Sequence, residues 1–144
     1  MSFLLDTSVI SELVKPSPDD NVVERMKRAD ETSLYLSVLT IGELEKGIAK
    51  LPVSSRRTKL ETWARSDLAD RFRERLLAID GAVAATWGKL AGEAEARGEP
   101  LPVIDGLISS YFKHLQHLVA VVVDDLHGDF ACPGFGEWPA DGGV

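Results

Sequence analysis

Leu118-Val-Ala-Val-Val-Val123 is an unbroken apolar, mostly β-branched run, and it constrains the fold more than any other stretch of the chain. It lacks the alternation of polar and apolar residues that marks a strand with one wet face. It therefore reads as a central strand covered on both faces, as in a parallel sheet held between helices. It falls far short of the ~20 residues that cross a bilayer, so no membrane span is expected. Residues 3–5 and 34–37 (Leu-Tyr-Leu-Ser) are two further short strand candidates.

Between these runs the apolar residues recur at helical spacing. Val9, Ile10 and Leu13 form one face of a helix directly after the first strand, and residues 21–29 form a second after the turn Pro16-Ser-Pro-Asp-Asp20. Ile41, Leu44, Ile48 and Leu51 make a stripe that Pro52 ends. The spacing of Leu60, Ala64, Leu68, Phe72 and Leu76 predicts one long charged helix over residues 55–77. Asp80 is placed to cap a helix bearing Val83, Trp87, Leu90, Ala91 and Ala94 and ending near Gly98. Pro102 suits the first turn of another, with Ile104, Leu107, Ile108, Tyr111 and Leu115 on its core side. Strands alternating with helices predict an α/β layered fold around a small parallel sheet. The 144 residues form one domain, and the Gly-, Pro- and acid-rich residues 131–144 are an atypical tail with no assigned element.

With 44% hydrophobic residues the chain is globular, and its single cysteine, Cys132, fits a reducing compartment. No basic, apolar leader opens it, so a cytoplasmic protein is expected. The net charge of −7 argues on its face against a nucleic-acid partner. Its distribution argues otherwise, because residues 46–75 hold nine Lys/Arg against four acids. Such a stretch is either a solvated helix face laced with ion pairs or a flank that steers phosphates beside an acidic centre.

Acids interrupt the ends of otherwise apolar elements. Asp6 ends the first strand, at the edge where open α/β sheets place ligands, although it also suits a helix N-cap. Glu43 lies one turn into the helix after the second strand, where Thr40-Ile-Gly-Glu43 also fits a capping box. Asp105 lies in a first helical turn, where a negative charge also complements the helix dipole. Asp124, Asp125 and Asp129 follow the third run, as site residues or as plain loop residues. In a parallel sheet these positions gather at one edge, and crowded carboxylates demand a cation. Hard oxygen donors select Mg²⁺, with Mn²⁺ as the alternative. His114, His117 and His127 with one cysteine make no Cys-rich zinc cluster, and neither a G-x-S-x-G nor a Gly-rich phosphate loop is present.

"LLDTSVISEL", "SVLTIGELEKGI" and "LPVIDGLI" together resemble the PIN-domain ribonucleases, in particular the VapC-type toxins of toxin–antitoxin pairs, over about residues 2 to 130. The resemblance implies a three-layer α/β/α fold and a metal-dependent endoribonuclease acting on RNA phosphodiesters. It implies Asp6, Glu43 and Asp105 as catalytic metal ligands, with Ser8 behind them orienting Asp6 or a metal-bound water. Asp129, in the retained Asp129-Phe130 pair, is the expected fourth acid and Asp124 the alternative, since Val123-Asp-Asp125 replaces the family's Thr-containing segment. The implied partners are a cognate antitoxin and a second copy of the chain, as a homodimer within a larger complex. Two other roles fit the same fold: a catalytically impaired partner of the antitoxin in autorepression, and a DNA-directed or structure-specific nuclease.

Overall fold

The computed structural model describes residues 2–115 and the strand backbone of 118–121. Asp124, Asp125, Asp129, His117, His127, Cys132 and the tail lie outside the described residues. Strand β1 (Ser2–Leu5) is followed at once by α1 (Thr7–Leu13), then α2 (Asp20–Arg28). Asp19 caps α2, its side chain accepting from the Asn21 and Val22 amides. Strand β2 (Leu34–Ser37) runs straight into α3 (Val38–Ala49). Then come α4 (Ser55–Thr62), a π-helical stretch Trp63–Leu68, the short α5 (Ala69–Arg71) and strand β3 (Leu76–Leu77). Helices α6 (Gly81–Ala96) and α7 (Val103–His114) lead to β4 (Leu118–Val121).

The described strands all pair in parallel, in the order β3-β2-β1-β4. Alternation along the strands sorts the core into two layers. Phe3, Leu5, Leu34 and Leu36 face a cluster built with Val9, Ile10, Met26, Leu44, Ile48, Leu60, Leu68 and Phe72. Leu4, Tyr35 and Leu77 face the other, with Val83, Trp87, Leu107 and Tyr111. The sheet thus lies between α1–α4 on one face and α6–α7 on the other. This is the expected three-layer α/β/α arrangement.

Three local expectations need correction. The helix expected over 55–77 stops at Arg71, and Leu76–Leu77 is an edge strand instead. The stripe itself holds, since Leu60, Ala64, Leu68 and Phe72 are all buried. Arg75 ends it: its guanidinium donates to the carbonyls of Glu31, Leu34 (2.7 Å) and Arg71 (2.7 Å) and stacks on the Phe72 ring, while its own carbonyl accepts from Leu36 N. Those bonds stitch the chain beside β2 and leave Leu76 and Leu77 to pair with Leu36 and Ser37. Second, the run expected to be central, β4, is an outer strand among the described residues, and β1 and β2 are the inner ones. Third, Ile104 is not on the core side of α7, where Leu107 and Tyr111 carry the packing, but 39% exposed.

Candidate active site

After β1 the chain moves to β2 and β3 on one side, then returns past β1 to β4 on the other. Right-handed crossovers in opposite directions put their helices on opposite faces. The carboxyl edge between β1 and β4 is therefore the switch point, the place at which such sheets take ligands. Asp6 is the residue immediately beyond β1. It is also the N-cap of α1, with Oδ2 accepting from Ser8 N at 3.0 Å. Capping and site are therefore not alternatives here. The cap fixes the carboxylate's orientation and leaves Oδ1 without a hydrogen-bond partner among the described residues.

Glu43 is brought to the same corner by a contact across 36 residues of sequence: the Thr7 hydroxyl donates to its Oε2. The capping box read from Thr40-x-x-Glu43 is absent. Helix α3 begins at Val38, capped by Ser37, whose hydroxyl accepts from Leu39 N at 3.0 Å. Thr40 is buried inside the helix, and the half-buried Glu43 turns toward β1's end instead.

Asp105 stands in the first turn of α7, behind the cap position Pro102. Helix α7 precedes β4 closely and packs Leu107 and Tyr111 on Leu4, so its N-terminus returns to the carboxyl edge of the sheet. The Tyr111 hydroxyl locks this placement, accepting from Ser37 Oγ (3.0 Å) and donating to the Leu77 carbonyl (3.2 Å) at the ends of β2 and β3. Burial pushes the Tyr111 phenol above its ordinary pKa. The Asp105 side chain is exposed and makes no ion pair with another described residue. Asp6 and Glu43 are thus joined through Thr7, and Asp105 shares their edge without closing on them. Among the described residues no three His, Cys, Asp or Glu side chains form a group that could hold a metal ion.

Sequence reasoning placed Tyr111 on the core side of α7, as found, but missed the role of its hydroxyl and the roles of Thr7 and Gly106. A Cβ at Gly106 would lie 2.8 Å from Trp87 Cδ1, so glycine lets the indole rest against α7 beside Asp105. No local sequence signal marks any of the three, because each acts on a distant segment. His114 belongs to the helix packing: its Nε2 lies 2.6 Å from Thr86 Oγ1 and 3.0 Å from the Ala82 carbonyl, both on α6.

These features define a parallel α/β domain with carboxylates set at its switch-point edge. The chain belongs to the PIN-domain family, whose domain matches residues 3–124. It is 32% identical over 128 residues to Toxin FitB of Neisseria gonorrhoeae, covering 89% of this chain and 91% of that protein. It is 32% identical over 107 residues to VapC ribonuclease Y4jK of Sinorhizobium fredii, covering 74% and 76%. The crystal structure of FitAcB from Neisseria gonorrhoeae matches with a TM-score of 0.72 at 30% identity, covering 85% of this chain and 88% of that one. Among the described residues no helix is long and apolar enough to cross a membrane.

Proposed function

We propose that this protein is an Mg²⁺-dependent endoribonuclease toxin of the cytoplasm, neutralised by a cognate antitoxin and dimeric within their complex. The placement of Asp6 at the β1 switch point, with Glu43 tethered beside it by Thr7, carries this reading. The relatives named toxin and VapC ribonuclease support it.

The donor chemistry, carboxylate oxygens, suits a hard divalent cation, although the three described acids do not by themselves close into a group that holds one. Asp6 and Glu43 each keep one carboxylate oxygen free of hydrogen bonds among the described residues, and Asp105 is exposed on the same edge. Asp6, Glu43 and Asp105 would hold the metal, joined by Asp129 or Asp124. Mg²⁺ held there would supply a water activated at neutral pH and charge compensation at the phosphodiester. The chain's own residues do the positioning. The Ser8 amide and the start of α1 orient Asp6, and the Thr7 hydroxyl orients Glu43. The Tyr111 hydroxyl, bonded to Ser37 and Leu77, holds α7 and so Asp105 at the edge.

The test is cleavage of an end-labelled RNA, with antitoxin binding assayed in parallel. Cleavage is expected with Mg²⁺, is abolished by EDTA, and is lost in Asp105→Asn while the melting curve is kept. Undiminished cleavage in chelator overturns the metal mechanism. Tight antitoxin binding by a wild-type protein that cleaves no cellular RNA selects the impaired-partner role instead.

A further inference from the structure

The nine cations of residues 46–75 divide into two groups. Five are engaged within the fold: Arg57 with Glu61 (3.0 Å), Arg65 with Glu45 (3.2 Å), Arg73 with Asp70 (2.6 Å), and Arg71 and Arg75 with Glu31 (2.8 and 3.3 Å). Lys46, Lys50, Arg56 and Lys59 are exposed and form no side-chain hydrogen bond or ion pair with another described residue.

The free four are contiguous with the site. Along α3 and its C-cap, Glu43, Lys46 and Lys50 recur at i, i+3 and i+7, a single stripe about 10 Å long running away from the carboxylate. Beyond the Pro52 turn, Arg56 and Lys59 share one face of α4 at i, i+3 spacing. Arg57 fixes this corner by donating to the Leu51 carbonyl at 3.1 Å. The engaged arginines also cancel the neighbouring acids, since Arg65 covers Glu45 on α3 and Arg57 covers Glu61 on α4. Helix stability explains all but one of the group. Lys46 and Lys50 complement the C-terminus of α3 and Lys59 that of α4, but Arg56 sits in the first turn of α4, which has no acid and where the dipole disfavours a cation.

We propose that Lys46, Lys50, Arg56 and Lys59 form a phosphate-binding ridge that leads the RNA backbone to the Glu43–Asp6 corner. The proposal rests on the ribonuclease reading and names which part of the basic stretch meets substrate. The engaged arginines are structural.

Binding is measured in EDTA, apart from any metal effect, with a fluorescein-labelled single-stranded RNA oligonucleotide across a salt series. Two pairs of substitutions remove equal charge: Lys46→Gln with Lys50→Gln on the ridge, and Arg28→Gln with Arg73→Gln, which are paired with Glu24 and Asp70. Each phosphate contact contributes about 0.7 to the salt slope for a single strand, so the ridge pair is expected to flatten it by about 1.4. Affinity at low salt should fall severalfold, and the control pair should leave the slope alone. Equal losses from both pairs, or an unchanged slope in the ridge pair, overturn the ridge while Mg²⁺-dependent cleavage by the wild type still upholds the nuclease. Absence of both binding and cleavage overturns both.

Discussion

Replacing Gly106 by alanine adds one methyl group at the one described glycine where a Cβ would meet other side chains within 4 Å. The new Cβ would lie 2.8 Å from Trp87 Cδ1 and 3.1 Å from both Trp87 Nε1 and Leu101 Cδ2. Ordinary carbon contacts are about 3.5–4.0 Å, so either the indole or α7 must shift by the better part of an ångström. The indole is a rigid ring on α6, and its Nε1 is buried with no hydrogen-bond partner among the described residues. Overpacking of this kind costs about 1–3 kcal/mol. Alanine recovers about 0.8–1 kcal/mol of helix propensity, since Gly106 has no positive φ to lose. The net destabilisation is about 1 kcal/mol, a fall in Tm of about 2–4 °C for a chain of this size. Gly92→Ala is the matched control. It lies within α6 with nothing within 4 Å of the added Cβ, so the same substitution should stabilise, by about 0.5–1 kcal/mol. Circular-dichroism melting of both variants gives the sign directly. Trp87→Leu in the Gly106→Ala background should cost less than the sum of the two single changes, because the methyl then has room. Gly106→Ala as stabilising as Gly92→Ala, or strict additivity with Trp87→Leu, refutes the close-contact reasoning.

Asp6→Asn should abolish RNA cleavage with Tm almost unchanged, because Asn caps a helix as well as Asp, whereas Asp6→Ala should also lose about 1 kcal/mol in melting. Thr7→Val removes the hydroxyl that holds Glu43, so the Mg²⁺ concentration needed for half-maximal cleavage should rise severalfold with little change in stability; an unchanged Mg²⁺ dependence would remove Thr7 from the site. Burial raises the Tyr111 pKa above 10.0, so the phenol is neutral in folded and unfolded chains below that pH and its contribution is fully present there. Stability should then fall as pH climbs through the folded pKa, and Tyr111→Phe should flatten that alkaline limb in urea titrations.

The sequence by itself determined what depends on local chemistry. Apolar runs without alternation can be satisfied only with cover on both faces, so Leu118–Val123 pointed to a parallel layered sheet, and β1 does pair in parallel with β2 and β4. Asp6 declared its place because a strand gives way to a helix at that residue. Tertiary structure decided what depends on partners far along the chain. Leu76 continues the helical stripe of Leu60 to Phe72 as well as it begins a strand, and only the reach of Arg75 to the carbonyls beside β2 chooses between them. Glu43 fits a capping box as a string of letters, yet the cap falls on Ser37 and its carboxylate goes to Thr7. The order of β1 and β4 is likewise invisible in their compositions, because both are apolar and the choice rests on which crossover reverses. The nine clustered cations show the same limit: their number is written in the sequence, but which remain free is set by where Glu31, Glu45 and Glu61 come to lie. Patterning depends on neighbours three or four residues away, whereas pairing depends on which distant side chains the fold brings within hydrogen-bonding reach.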